Sequence, residues 1–281
     1  MRWSSPISTG KVRPSQRSGQ SATILKDRLV IFGGRTNRNS PLRDLWFFVF
    51  PTHSWVPGPA VNPSVPCARH GHSAIEFKGE MIIFGGTCNS HELNDVHSFN
   101  PETGAWKQLH TTGNRPSPRA MHAAAILGSG LFVHGGISGD KYLSDFYQLD
   151  LSSLSWTKVS IPGTVPTPRY GHVLRDFGSR LFLFGGWQGY RRICRVCGSN
   201  PHTHACDVRN FQVANSPGDA IAWSLGEAWE SVLDDQLPDI RQPYGHSVVE
   251  VSTKTQTRFF VFGGWDGVKA LNRLRIITYY N

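Results

Sequence analysis

Between residues 194 and 206 the chain reads Cys-Arg-Val-Cys-Gly-Ser-Asn-Pro-His-Thr-His-Ala-Cys. Cys194, Cys197, His202, His204 and Cys206 are soft donors of the kind that hold zinc in a tetrahedron. The first three donors follow the spacing of a zinc knuckle, which then asks for four residues between its His and its last Cys. Here three residues follow His202 and one follows His204. Two readings stay open: a structural zinc that staples a long loop, or free thiols beside solvated imidazoles. A catalytic zinc fits poorly, because four protein ligands leave no open coordination position.

A second group of residues suits recognition. Arg17, Arg69, Arg119 and Arg169 recur at one place in the chain's internal pattern, and Arg35, Arg38, Arg191 and Arg192 stand in irregular segments. Tyr170, Trp187, Tyr190, Tyr244 and Trp265 fall beside them. Guanidinium groups grip carboxylates through paired hydrogen bonds, and flat aromatic rings add apolar contact, so the set is suited to an acidic peptide or a chain-terminal carboxylate. For the four recurrent arginines a structural reading competes, in which each bonds neighbouring backbone carbonyls.

The charge balance agrees with an acidic partner. The formal net charge is +9, and 21 of the 29 basic residues are Arg. No nucleic-acid module is recognisable, so nucleic acid is not the expected partner. The sequence has no run of 18 apolar residues and no apolar N-terminal signal region, so neither a membrane nor export is expected. Five cysteines, an odd number with three clustered, do not form an evident disulfide framework; a reducing compartment, cytoplasmic or nuclear, is expected.

What must position these residues is a repeat. Gly-Gly closes an apolar run five times, at Gly33-Gly34, Gly85-Gly86, Gly135-Gly136, Gly185-Gly186 and Gly263-Gly264, and the first four are 50 to 52 residues apart. His72, His122 and His172 stand thirteen residues before their pairs, Gln20 takes that place in the first repeat, and His246 lies four residues further back in the fifth. Asp44, Asp95 and Asp145 follow the pairs by ten or eleven residues, and Trp55, Trp106 and Trp156 follow each Asp by eleven.

This pattern of glycine doublet, acidic turn and late Trp resembles kelch repeats, and the resemblance covers essentially the whole chain. It implies an all-β fold, a kelch-type β-propeller, here of five four-stranded blades at about residues 17–57, 69–109, 119–159, 169–233 and 243–281 with 1–6. The residues give the same reading: in the second repeat, short strands are expected at 71–77, 80–84, 95–100 and 105–109, with a tight turn at Pro101–Gly104. A lone four-stranded sheet cannot cover its own faces, whereas neighbours packed radially can. Trp3 precedes Arg17 by fourteen residues, as Trp55 precedes Arg69, so the N-terminal segment is expected to supply the last strand of the final blade. A fragment of a longer propeller is the alternative. Two insertions stretch the fourth repeat, and Arg273 takes the acidic position in the fifth.

Alternation of strand direction places the linker entering each repeat and the turn after its Gly pair at one end, the expected ligand face. The repeat histidines read as structural, bonded to neighbouring backbone. His134, where other repeats carry Phe, needs either a hydrogen-bond partner or a cavity. Some kelch-like propellers are enzymes, but the sequence has no Glu-x-x-x-Asp-x-x-x-His, no Gly-x-Ser-x-Gly and no phosphate-binding glycine loop. The expectation is therefore a non-enzymatic scaffold or adaptor. A substrate receptor of a cullin ubiquitin ligase is the second reading, and an unrecognised activity the third.

Overall fold

The computed structural model describes the backbone of residues 2–4, 12–59, 64–160, 166–177, 180–184, 208–212, 244–252, 256–265 and 274–280, and side chains within 12–59, 64–160 and 166–176 and at 181 and 183. Every regular element among the described residues is a strand. β1 (Arg2–Ser4) opens the chain. β2 (Ser21–Leu25), β3 (Arg28–Phe32), β4 (Leu45–Val49) and β5 (Ser54–Pro57) form one antiparallel sheet. β6 (Ser73–Phe77), β7 (Glu80–Cys88), β8 (His91–Asn100) and β9 (Ala105–Leu109) form the next. In the third, β11 (Ala123–Leu127), β12 (Gly130–Ser138), β13 (Lys141–Asp150) and β14 (Ser155–Val159) are joined by β10 (Thr112–Gly113), which runs parallel to β14. β15 (Val173–Phe177), β16 (Arg180–Phe184) and β17 (Val208–Gln212) follow. The last sheet has the order β1-β20-β19-β18, with β18 (Tyr244–Ser252), β19 (Gln256–Trp265) and β20 (Leu274–Tyr280). The N-terminal strand therefore does complete the C-terminal sheet, through Trp3 opposite Ile277.

The chain divides into two compact units, residues 1–109 with 242–281, and residues 110–241. In the first unit, Val30, Phe32, Phe47, Met81, Ile83, Phe99 and Trp106 make one buried cluster across two sheets. Trp106 lies 4.9 Å from both Phe32 of the preceding sheet and Phe99 of its own, which is the between-sheet role its position in the repeat implies. In the second unit, Ala125, Phe132, Phe146, Leu174, Leu181 and Leu183 do the same across two sheets.

In the second and third repeats the second and third strands run further than the sequence suggests, because the ladder continues through the Gly pair by way of a bulge. The register shifts between Phe84 and Gly86 and between His134 and Gly136, and both glycines of each pair sit at positive φ. The neighbouring repeat explains why nothing larger fits. A Cβ on Gly33 would stand 2.6 Å from the carbonyl oxygen of Arg69, and one on Gly135 would stand 2.8 Å from that of Arg169. Gly34 N–H donates to the same Arg69 carbonyl at 2.9 Å, and Gly136 N–H to that of Arg169 at 2.8 Å. The turn at Pro101–Gly104 forms as expected, with the Asn100 side chain accepting from the Glu102 and Thr103 amides.

The displaced His246 has a plain cause. Phe77 and Glu80 bracket a two-residue turn between β6 and β7, whereas the corresponding hairpin in the last sheet closes at Ser252 opposite Thr257. The longer hairpin pushes His246 back in sequence, yet it still faces the first glycine of its pair, Gly263.

Candidate functional site

In the four repeats where both are described, the linker entering the repeat and the segment after its Gly pair are paired with each other. Bridges join Ser18 to Arg35, His70 to Thr87, and Ala120 to Ile137, and in the last sheet Tyr244 pairs with Trp265. The two positions singled out for recognition thus share one sheet end in the first, second, third and fifth repeats.

Arg35 is partly exposed and Arg38 exposed. Arg35 donates to the neutral amide oxygen of Asn39 at 3.0 Å, a contact that leaves its charge uncompensated. His70 stands close enough that burial and the Arg35 charge together hold its imidazole down at about 4, so it is neutral at physiological pH. In the second unit, Tyr170 stacks on the exposed Tyr142 with ring centroids 5.3 Å apart and planes 24° from parallel. Tyr142 was not anticipated; its signal was its place in the hairpin after Gly135-Gly136, opposite Ile137.

Arg69, Arg119 and Arg169 require a correction. Their side chains are at most 1% exposed and turn into the protein, as does that of Arg17. Arg119 spends its donors on the Ser117 carbonyl, the Ser117 hydroxyl, the Gly135 carbonyl and both carboxylate oxygens of Asp145. Arg69 does the same with Gly85 and Asp95, and Arg17 with Gly33 and Asp44. Arg169 bonds the Thr167 carbonyl and hydroxyl. The guanidiniums of Arg17, Arg69 and Arg119 fasten the linker to the first glycine of their own pair and to the Asp that follows it, and all four arginines are buried. Burial alone would raise the carboxyls of Asp44 and Asp95. Their arginines outweigh that and hold both below the usual carboxylate value of 3.8.

Two repeat histidines, His72 and His172, bond side chains of the preceding repeat, where neighbouring backbone was expected. His72 Nε2 lies 2.8 Å from Ser21 Oγ and edge-on to Phe32. His134 has found its partner: its Nδ1 lies 2.9 Å from His172 Nε2, with the rings nearly perpendicular. The switch is paired. Ser21 faces Phe32 across β2 and β3, whereas Ala123 faces His134 across β11 and β12, so the residue that bonds the incoming histidine has moved from one strand to the other.

Trp187, Tyr190, Arg191 and Arg192 lie outside the described residues, as do Cys194, Cys197, His202, His204 and Cys206. Tyr244 and Trp265 are described in backbone only. No helix among the described residues is long and apolar enough to cross a membrane.

Bulged glycine pairs, buried Arg–Asp clamps and sheets packed face to face define a kelch-type all-β fold. Residues 1–186 match the KLHDC2/KLHL20/DRC7 Kelch-repeats domain, and the chain belongs to this kelch-repeat family, whose repeats serve protein–protein interaction. It is 34% identical over 114 residues to Kelch domain-containing protein 3 of Homo sapiens, covering 37% of this chain and 29% of that protein. It is 38% identical over 113 residues to Rho GTPase-activating protein gacHH of Dictyostelium discoideum, covering 38% of this chain and 7% of that protein. With Acyl-CoA-binding domain-containing protein 5 of Arabidopsis thaliana it shares 35% identity over 119 residues, 42% of this chain and 18% of that protein. The chain thus matches less than a third of the length of each of these relatives.

Proposed function

We propose that this chain is a scaffold or adaptor that captures an acidic peptide, or a partner bearing a free carboxylate, at the sheet end where the linkers meet the post-glycine segments. The observation that carries the reading is the contrast among arginines at that end. Arg17, Arg69 and Arg119 are matched by Asp44, Asp95 and Asp145, whereas Arg35 bonds only a neutral amide in that contact and Arg38 is exposed. Tyr142 and Tyr170 offer a flat apolar surface of the same kind. On sequence grounds alone, Trp187, Tyr190, Arg191 and Arg192 take the corresponding place in the fourth repeat and Trp265 in the fifth.

Fluorescence polarisation with an acidic peptide, compared with its C-terminally amidated form and a basic peptide of equal length, tests the reading. The acidic peptide should bind, and more weakly as salt is raised. Arg35→Ala with Arg38→Ala, and separately Arg191→Ala with Arg192→Ala, should each weaken binding about tenfold without lowering the melting temperature. Equal binding of the basic peptide, or unchanged binding by both double variants, refutes the assigned face. Delivery of such a partner to a cullin ubiquitin ligase is the alternative reading, and cullin subunits recovered with the tagged chain would select it.

The segment 194–206 is proposed to carry a structural zinc, on the strength of its donor set. Elemental analysis of the purified chain should find one zinc per molecule, lost on replacing Cys194 and Cys197 by Ser. Zinc-free, folded protein would overturn this.

A further inference from the structure

The second repeat is unlike its neighbours at two positions. The residue two before the linker arginine is Ser15, Ser117 or Thr167 in the other repeats, and its hydroxyl accepts from that arginine's Nη2 at 3.0 to 3.1 Å. Here it is Cys67, whose sulfur accepts from Arg69 Nη2 at 3.5 Å. The residue two after the Gly pair is Thr36 or Ser138 in the first and third repeats, and here it is Cys88. Both hydroxyl positions have therefore become thiols in the same repeat.

The backbone brings them together. His70 and Thr87 form an antiparallel bridge through mutual N–H to carbonyl bonds of 3.1 and 2.8 Å. One step along that ladder Cys88 comes level with Arg69, and Cys67 lies two residues before Arg69, on the same side of the alternating chain. The two thiols are close enough to interact electrostatically. Cys67 is partly exposed and Cys88 is buried at the end of β7.

We propose that Cys67 and Cys88 form a reversible disulfide with a low-molecular-weight disulfide as oxidant, and that this cross-link ties the linker of the second repeat to the end of β7. The sulfur of Cys67 attacks one sulfur of the external disulfide and expels one small thiol, leaving a mixed disulfide on Cys67. Cys88 then attacks the Cys67 sulfur and expels the second small thiol. Two protein thiols are oxidised, one external disulfide is reduced to two thiols, and the two protons lost from the protein end on those leaving thiols. The order follows from the geometry, since the partly exposed Cys67 meets the reagent and the buried Cys88 resolves the adduct. Burial, with the interaction with Cys67, pushes the Cys88 thiol up to about 11, which keeps it from initiating.

The test uses the full chain and oxidised glutathione. After alkylation and non-reducing tryptic mapping, the peptides spanning 44–69 and 79–107 should appear as one linked species, two hydrogen masses lighter than their sum, and dithiothreitol should separate them. Cys88→Ser should retain one glutathione on Cys67, whereas the wild-type chain passes through that adduct without accumulating it. Cys67→Ser restores the hydroxyl that the other repeats carry, so it should stay folded and leave the Cys88 peptide unmodified. A stable Cys67 adduct in the wild type to the same extent as in Cys88→Ser, or linkage of either cysteine to peptides bearing Cys194, Cys197 or Cys206 in place of each other, would overturn the assignment.

Discussion

Replacing Arg119 by Ala should lower the unfolding free energy by about 3–5 kcal/mol, read from urea denaturation at neutral pH. The side chain is fully buried, and its guanidinium holds the Asp145 carboxylate at 2.7 and 3.1 Å while also bonding the Gly135 carbonyl at 3.1 Å. Removal leaves a largely buried carboxylate and the bulge carbonyl without their donor and opens a cavity between linker and sheet. The exposed Arg115, four residues earlier, provides the control, and Arg115→Ala should change stability by less than about 0.5 kcal/mol. If Arg119→Ala cost no more than its neighbour, the clamp would be decoration and the charge would be free for other work.

The histidine switch makes the second large prediction. His134→Phe restores the residue of the first repeat but takes away the partner of His172 Nε2, and Ala123 cannot replace it. A buried polar nitrogen left in this way costs about 1–3 kcal/mol. Adding Ala123→Ser should recover most of the loss, because it recreates the arrangement in which Ser21 Oγ meets His72. Alone, Ala123→Ser should bring no such gain, so the two substitutions should be coupled by at least about 1 kcal/mol in a double-mutant cycle. Additive effects would refute the paired switch.

A pH readout separates this from simple repacking. Burial holds His134 and His122 down at about 3 and His172 well below the ordinary 6.5, so all three stay neutral in the folded chain. Below pH 6.5 the unfolded chain takes up protons at these positions while the folded chain does not, and stability falls from there downward. For one such histidine the loss between pH 7 and pH 5 is about 2 kcal/mol. The double variant should lack that share of the acid sensitivity. Asp44 and Asp95 act lower on the scale: their depressed folded values stabilise the fold above pH 3.8, and that contribution fades as pH falls further.

Much of this was legible in the residues. The glycine pairs had to sit against a close neighbour, although the strands of the second and third repeats run on through them; the late Trp had to fill the space between sheets, and Trp3 marked an N-terminal strand in search of a sheet. The linker arginines were placed at the correct end but with the wrong orientation, because charge and position do not say which way a side chain turns. The signal was in the pairing. Arg69 and Arg119 each precede their Asp by 26 residues, and Arg17 precedes Asp44 by 27. In the fifth repeat, where Arg273 replaces the acid, Pro243 stands three residues before His246, the place of the linker arginine elsewhere. Partner and charge disappear together. The answer for His134 lay in Ala123, eleven residues away in sequence and directly opposite in register, a relation that only the strand pairing makes visible.

The linker arginine holds in two directions at once. Through its side chain Arg69 grips Asp95 in its own sheet, while its backbone N–H donates to the Leu42 carbonyl and its own carbonyl receives Gly34 N–H from the sheet before, and Arg169 repeats the backbone half of this with Leu143 and Gly136. Such a residue works like a dovetail joint: loosening one repeat also withdraws the tenon from the next, so adjacent repeats are expected to melt in concert and not fray singly.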